Sequence, residues 1–385
     1  MRPEHPRGLS GPIAERRPSP RGGARGRDGG GRRSARVGYV RICWVGLFCG
    51  WVVLRGFFSV WAAEQEPLAR IAFGSCYKPG KETRIWGEVE KFSPQLWIWL
   101  GDNFYNDFIE GKYIPSNDDP KAFEKGYGEL GSSPAMRTLH SLMPDRIMAT
   151  WDDHDYGKND AGKEYDRKEE SRRAFVKFWG SPDRSDGVYS SKDWGPRGKC
   201  VRVILLDTRF NRDLLPPKGK GTSEGDMLGE TQWRWLEGEL SRPGADLVLI
   251  GSSIQFVAQK HPYEKWANFP KAKDRFLRLI ARTRAKGVIF LSGDRHNAEI
   301  SCSKNSPAGY PLYDFTSSGL TEVSSLKNEE NPDRIGNLYS GHNFGGIRVD
   351  WETSNPKITL EIHGEDGRVA ESVSFPLSQL APRGR

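Results

Sequence analysis

The sequence predicts an α/β fold, and two patterns indicate it. Past residue 68, short apolar runs alternate with amphipathic stretches whose apolar residues recur every three to four positions, as when strands alternate with helices. From Pro311 onward the helical pattern gives way to successive strands. With 385 residues, the chain is long enough for one large domain or two small ones, with ample core.

These runs predict individual elements. Six apolar runs predict the first strands: Arg70–Gly74, Leu96–Leu100, Arg146–Thr150, Val201–Asp207, Leu247–Gly251 and Val288–Ser292. Four amphipathic stretches predict helices: Thr83–Phe92, Lys168–Trp179, Gly229–Leu240 and Lys271–Ala285. Four later strands are predicted at Leu312–Ser317, Gly346–Trp351, Lys357–Ile362 and Ala370–Phe375. Polar stretches at 208–228, 256–270 and 320–343 are too long for simple connections, so we expect them to frame a site.

A leader precedes the first predicted strand. Residues 1–36 are rich in Arg, Gly and Pro and are predicted to be disordered, or to come from an over-extended gene start. Residues 37–63 combine a basic flank, an apolar stretch and small residues before a polar start, which is typical of an export signal. An uncleaved membrane anchor is the alternative, although Arg55 interrupts the apolar run. We expect cleavage near Ala62 or Ala63 and a periplasmic, extracellular or cell-surface protein.

The charge distribution argues against nucleic-acid binding. The formal net charge is +8, but residues 1–62 hold 12 Arg, no Lys and 3 acidic residues. The remaining 46 basic and 47 acidic residues nearly cancel, so the region after the leader lacks a basic surplus. Contact with a membrane is expected only through the amino-terminal segment, if that segment is not cleaved. Beyond the leader, Cys76, Cys200 and Cys302 are an odd number, which argues against a disulfide framework.

Polar and ionisable residues follow all six of the early predicted strands. The strand exits read GSC, GDNFY, WDDHD, LDTR, GSSIQ and GDRH. In open α/β sheets, ligands bind at the carboxyl ends of the strands. We therefore expect these groups to share one site.

The segment ATWDDHDYGKND places four carboxylates within twelve residues. A solvated acidic loop is one interpretation. A cation site is the other, because like charges this close repel one another unless positive charge lies among them. Combined with the other strand exits, the segment predicts two cations with Asp102 bridging them, as in sites that hold two ions about 3.5–4 Å apart. Thiolate, phenolate and imidazole favour a transition metal on one ion, and carboxylates favour calcium or magnesium on the other.

The ordered series GSC, GDNFY, WDDHD, LDTR, LIGSSIQ, SGDRH and YDFTSSGLT resembles the alkaline phosphatase D family over about residues 69–375. The resemblance implies a calcineurin-like, four-layer α/β/β/α metallophosphatase sandwich in which helices flank two packed mixed sheets. It also implies ferric iron with calcium. Carried over, the iron ligands are Cys76, Asp102, Tyr105 and His296, and the ligands of the second cation are Asp102, Asp153 and Asp294.

Other residues are expected to take part beside the ligands, and the wider metallophosphatase pattern places the catalytic histidine at His154. His154 is the expected general acid on the leaving group or a hydrogen-bond donor to phosphate. Arg209 is the expected phosphate clamp, because a guanidinium matches two phosphate oxygens, with an ion pair to Asp207 or Asp213 as the alternative. Residues expected to support the ligands or to replace one of them are Asn103, Asp152, Asp155, Asn159 and Gln255. Ser253 or Gln255 stands where the wider metallophosphatase pattern has a histidine.

The sequence therefore predicts a catalytic domain at 69–378, followed by a tail at 379–385. The expected activity is hydrolysis of phosphate monoesters, diesters or both by in-line attack of a metal-activated hydroxide. Zinc, manganese or magnesium is expected as a possible substitute at one of the two cation positions. One alternative is a phosphodiesterase that acts on lipid or wall-polymer diesters. Another is a calcium-dependent surface-binding protein with an inactive site.

Overall fold

Two mixed β-sheets pack face to face in the computed structural model, which describes residues 66–81, 83–109, 111–115, 117–216, 222–326 and 328–382. The predictions for residues 1–36 and 37–63 lie outside these ranges. Within them, no helix is both long and apolar enough to cross a bilayer. Cys76, Cys200 and Cys302 are buried free thiols.

The described residues form fifteen strands and seven α-helices. The strands are β1 (Arg70–Gly74), β2 (Leu96–Leu100), β3 (Phe108–Ile109), β4 (Lys112–Tyr113), β5 (Ile147–Thr150), β6 (Ser190–Trp194), β7 (Val201–Leu205), β8 (Leu247–Gly251), β9 (Val288–Ser292), β10 (Ala298–Ser303), β11 (Leu312–Ser317), β12 (Arg334–Tyr339), β13 (Asn343–Asp350), β14 (Lys357–Gly364) and β15 (Val369–Pro376). The helices are α1 (Ile85–Phe92), α2 (Ala122–Gly131), α3 (Pro134–Leu142), α4 (Asp153–Tyr156), α5 (Lys168–Trp179), α6 (Glu230–Ser241) and α7 (Pro270–Thr283). Two short 3-10 helices lie at Trp266–Asn268 and Leu377–Leu380.

The first sheet has the order β15-β14-β13-β1-β2-β5, and the second has the order β12-β10-β11-β9-β8-β7-β6. Strands β1, β2 and β5 run parallel to one another, as do β7, β8, β9 and β11. The other neighbours in the two sheets pair antiparallel: β1–β13, β13–β14, β14–β15, β10–β11, β10–β12 and β6–β7. Strands β3 and β4 form a separate small hairpin. The parallel centre of each sheet brings several strand exits to one edge.

Successive side chains of β2 point to opposite faces of the first sheet, and this alternation shows which layer covers each face. Leu96, Ile98 and Leu100 belong to the core that the two sheets share. Trp97 and Trp99 point to the other face, where their rings pack 5.3 and 5.9 Å from that of Trp86 on α1. Helices therefore cover the outer face of the first sheet.

Helices α6 and α7 pack on the second sheet. Phe276 of α7 lies edge-on, 5.3 Å from Phe290 of β9 and 5.8 Å from Trp233 of α6. Helix, sheet, sheet and helix thus form the four layers that the sequence predicted.

The predicted strand bounds are exact at β1, β2, β8, β9 and β11, and the helix at α5 also has its predicted bounds. The fourth strand ends at Leu205 rather than Asp207, because the Asp207 carboxylate accepts the backbone N–H groups of Arg209 and Phe210 and so shapes a turn. No prediction had covered α2, α3, α4, β6, β10, β12, the β3–β4 hairpin or the two 3-10 helices.

Candidate metal centre

The loops after the parallel strands bring the predicted ligands together. Cys76 follows β1, Asp102 and Tyr105 follow β2, and Asp153 lies just beyond β5 in the same sheet. Asp294 and His296 follow β9 of the facing sheet. The packed sheets therefore contribute ligands from both sides of one site.

Backbone conformation singles out the same residues. Four of the predicted ligands adopt a positive φ: Cys76 (61°), Asp102 (49°), Asp294 (64°) and His296 (56°). Only three other non-glycine residues in the described ranges do so. A side chain in this region costs of order 1–3 kcal/mol, and such strain concentrates at functional sites. The strain indicates that the fold holds these four side chains in place for a function.

The predicted iron ligands converge on one carboxylate oxygen. The Cys76 thiol donates to Asp102 Oδ2 at 3.3 Å, and the Tyr105 hydroxyl lies 3.4 Å from the same oxygen. The Tyr105 hydroxyl is also 3.1 Å from His296 Nε2. Sulfur, phenol oxygen, imidazole nitrogen and carboxylate oxygen thus surround one position.

A second group of carboxylates adjoins the first. Ligand atoms of Asp102, Asp153 and His154 lie within 4.8 Å of one another, and so do those of Asp152, Asp153 and Asp294. Asp153 Oδ1 and Asp152 Oδ2 are buried and have no hydrogen-bond partner among the described residues. Because buried polar atoms normally have partners, these two oxygens fit a bound cation.

Electrostatics also fit cations at this position. Burial, together with the charges of Cys76 and Asp153, raises the pKa of Asp102 well above its usual range. Burial and the Asp153 charge raise the pKa of Asp294 to about 7, and burial raises that of the Cys76 thiol to about 12. Positive ions would reverse these shifts, since nearby cations favour the anionic forms. The donor set therefore fits two cations that share Asp102.

His154 is held beside this group by a carboxylate that the sequence analysis missed. Its Nδ1 lies 2.7 Å from Asp107 Oδ1, and its ring packs on that of Tyr105 at a centroid distance of 4.2 Å. Burial lowers the pKa of His154, but the charges of Asp153 and Asp107 outweigh burial and raise it to about 9. The charges of these carboxylates thus favour the protonated imidazole, the form that a proton donor requires. Asp107 lies five residues after Asp102 within GDNFYND, which is the one sequence signal that marks it.

Asn103 and Asp155 support the loops rather than join the ligand groups. Asn103 Nδ2 donates to Asp155 Oδ2 at 2.6 Å, and Asp155 Oδ1 accepts the backbone N–H groups of Asp102 and Asp152. Asp155 thereby ties the exit of β2 to the exit of β5. Asn159 contributes a backbone N–H to Asp107 Oδ2 at 2.8 Å.

The side-chain amide of Gln255 bonds to residues of the second sheet. Its Nε2 donates to Glu299 Oε1 at 2.7 Å and to Thr316 Oγ1 at 2.9 Å. Ser253, the other residue expected near the missing histidine, donates to Asp152 Oδ1 at 3.0 Å. Asp152 therefore has protein partners on one oxygen and none on the other.

Arg209 does not fit the predicted phosphate contact. Its side chain is completely buried, Nε donates to Asp152 Oδ1 at 2.6 Å, and Nη1 donates to Glu264 Oε2 at 2.5 Å. The predicted ion pair with Asp207 or Asp213 is also wrong, since the guanidinium pairs with Asp152 and Glu264. Arg209 therefore positions Asp152 beside the metal centre. Glu264, which also pairs with Arg212, lies in the polar stretch at 256–270.

Two facing sheets with candidate ligands for two cations at their strand exits are the arrangement predicted for a metallophosphatase. The model of the family described as PhoD-like phosphatase matches residues 71–342, and the chain belongs to that family. It is a phosphoric ester hydrolase, which confirms the predicted enzyme class. None of the curated proteins matches the chain.

Solved structures share the fold at low sequence identity. PhoD superposes with a TM-score of 0.65 at 17% identity, over 83% of this chain and 72% of that chain. Purple acid phosphatase PPD1 from yellow lupin seeds superposes with a TM-score of 0.54 at 12% identity, and the match covers 81% of this chain and 54% of that chain. GAP50, described as the anchor in the inner membrane complex of Plasmodium, superposes with a TM-score of 0.53 at 13% identity. The match covers 83% of this chain and 90% of that chain. Because an anchor shares the fold with phosphatases, the enzyme class rests on the family match and not on the fold.

Proposed function

We propose that this chain hydrolyses phosphate monoesters and diesters outside the cytoplasm, with ferric iron and calcium as its cations. The observation that carries the proposal is the convergence of Cys76 Sγ, Tyr105 OH and His296 Nε2 around Asp102. A calcium-dependent binding protein would need carboxylates and has no use for a thiol and a phenol. This donor set therefore favours catalysis.

The donor chemistry supports the choice of metals. Thiolate and phenolate beside the carboxylate of Asp102 suit a trivalent ion better than zinc, whose protein sites consist mainly of Cys, His and acidic residues. Asp153 and Asp294 offer hard oxygen ligands, which suit calcium. Zinc, manganese or magnesium at one position remains compatible with the same residues.

Once bound, the two cations supply the positive charge that in-line displacement at phosphorus requires. The chain's own residues do the rest. His154 donates its proton to the leaving oxygen, and Asp107 holds the imidazole in the orientation that this transfer needs. Tyr105 packs on the His154 ring and limits its movement. Asp155 fixes the relative position of Asp102 and the segment that contains His154.

Purified protein is expected to hydrolyse a chromogenic phosphate ester, to contain iron and calcium, and to be coloured. The colour arises because charge transfer from the Tyr105 phenolate to ferric iron absorbs visible light. Tyr105→Phe should bleach or strongly shift the band, and Cys76→Ser should weaken iron retention and activity. Elemental analysis, a visible spectrum and a panel of monoesters and diesters measure these properties.

Tyr263→Phe is the matched control, because it removes an exposed tyrosine hydroxyl from a ring that packs on Arg295. Its spectrum should equal that of the wild type. A calcium chelator should stop turnover and leave most of the colour, since the carboxylate group is a separate position. An active, colourless protein that contains zinc and lacks iron would contradict the iron assignment.

The export proposal rests on the leader, where surplus positive charge and apolar length both lie in residues 1–62. The mature protein is expected to begin near Ala63 and to be recovered outside the cytoplasm. Amino-terminal sequencing of native protein from fractionated cells tests this expectation. Recovery of residues 40–60 on the mature protein would rule out cleavage at this position.

A further inference from the structure

A cleft of about 590 Å³ opens beside the metal centre. Among the residues that line it are Lys78, Lys81, Phe104, Tyr105, Phe108 and Ile109. Tyr105 belongs to both places, since its ring forms part of the cleft and its hydroxyl lies at Asp102 and His296. The cleft is therefore continuous with the predicted position of the phosphate.

Lys78 is held at this junction by two aromatic rings. Its Nζ lies 4.3 Å from the centroid of Tyr105 and 3.6 Å from that of Phe108. These distances are within the range of cation–π attraction. Phe108 is itself 37% exposed, so the ring can contact another molecule in the cleft. The ammonium is thus placed in advance between apolar surfaces.

The charges beside Lys78 do not balance. Lys78 Nζ donates to Glu322 Oε2 at 3.2 Å, and Lys81 Nζ donates to Glu322 Oε1 at 2.6 Å. One carboxylate therefore serves two ammonium groups. Within the described ranges, Glu322 is the only hydrogen-bond acceptor of Lys78 Nζ, which has three N–H donors. The other charged residues of the cleft are Lys125, which pairs with Asp119, and Glu129. The group formed by Lys78, Lys81 and Glu322 thus carries one net positive charge for an incoming anion.

The proton donor also adjoins Tyr105. The His154 ring packs against Tyr105, which is one of the residues that line the cleft. A general acid must be close to the leaving oxygen. A leaving group that receives the His154 proton would therefore extend along Tyr105 into the cleft. Arg209 cannot supply the cation for this part of the substrate, because it is buried and paired.

We propose that this cleft is the leaving-group subsite and that Lys78 determines its specificity. The substrate class is a phosphate ester whose leaving group combines an aromatic ring with a further anionic group. The ring contacts Phe108 and Tyr105, and the anion pairs with Lys78. This inference rests on the proposed function for the position of the phosphate.

The kinetic test compares 4-carboxyphenyl phosphate with phenyl phosphate on the metal-loaded protein. Wild type is expected to prefer the carboxylated ester about tenfold in kcat/KM, a factor that corresponds to 1.4 kcal/mol. The preference should arise in KM and disappear in Lys78→Met and Lys78→Gln. Lys91→Met is the matched control, because Lys91 also pairs with a single glutamate but lies on the surface of α1. It should keep the preference.

A binding test does not depend on turnover. Naphthalene sulfonate is titrated into metal-loaded protein in the presence of inorganic phosphate, and heat release is measured. Lys78→Met should raise its Kd about tenfold, the same factor as in the kinetic test. Phe108→Ala should also raise it. Equal Kd values in wild type and Lys78→Met, or no preference between the two esters in wild type, would overturn the subsite. Absence of turnover with any ester would instead contradict the proposed function, and the titration would still decide the subsite.

Discussion

Replacement of His154 by alanine is expected to lower kcat by roughly 10²–10⁴-fold for esters with poor leaving groups, the range that general acid catalysis spans. The reason is that Asp107 and Tyr105 hold the imidazole, and although burial lowers its pKa, the charges of Asp153 and Asp107 raise it to about 9 and favour the form that donates a proton. The loss should shrink for nitrophenyl esters, whose leaving groups need little protonation. Steady-state kinetics over a series of leaving groups measures this dependence.

The control is His140→Ala, because His140 is exposed on α3. This variant should leave kcat unchanged for every ester in the series. Metal content of His154→Ala should remain close to that of wild type, since the ring pairs with Asp107 and the predicted ligands all stay in place. Equal losses for good and poor leaving groups would reject the acid role and leave phosphate binding as the function of His154.

Asp107→Asn tests how the imidazole is held. The Asp107 charge helps to raise the pKa of His154, so its removal should lower that pKa. A general acid with a lower pKa loses its proton at a lower pH, and the alkaline limb of the kcat–pH profile should therefore move downward. A purely structural role for Asp107 would lower kcat without moving that limb.

The sequence was informative where local pattern decides structure. Strands β2 and β9 are continuous apolar runs that end at a glycine, so their bounds and their polar exits could be read directly. Helix α2 could not, because Gly126, Gly128 and Gly131 lower its intrinsic propensity. Its stability comes instead from burial of Phe123, Tyr127 and Leu130, which depends on the assembled fold.

Buried polar residues also depend on the assembled fold, so their partners could not be predicted from the local sequence. Strand β10 buries Glu299, whose partners are Arg334 and Gln255, 35 and 44 residues away in sequence. Arg209 was misassigned for a similar reason, since its partners Asp152 and Glu264 lie 57 and 55 residues away. Ligands that directly follow strands could be found, because the sheet fixes their direction. The pairing of a buried guanidinium is set by the tertiary fold.

Asp102→Asn is expected to lower activity by at least about 10³-fold, the upper end of the loss caused when a single group that stabilises transition-state charge is removed. Asp102 is the one carboxylate that contacts Cys76 and Tyr105 and also shares a cluster with Asp153. An amide retains the shape but carries no charge and offers one oxygen instead of two. Both cation positions should therefore weaken together. Elemental analysis and the visible spectrum should show loss of iron and of calcium in the same variant.

Metal-free protein separates this effect from misfolding. In the absence of cations, Asp102 is a buried carboxylate among other acids, and burial with these charges raises its pKa well above the usual range. Asparagine removes that unfavourable charge, so metal-free Asp102→Asn should unfold at a temperature no lower than metal-free wild type. Added metal should stabilise wild type more than the variant, since ligands that bind only the folded state raise its stability. The matched control is Asp193→Asn. Asp193 lies on β6, where its carboxylate pairs with Arg202 and Arg242, and this variant should retain both metals. Retention of calcium together with loss of iron in Asp102→Asn would show that Asp102 belongs to one cation alone and does not bridge the two.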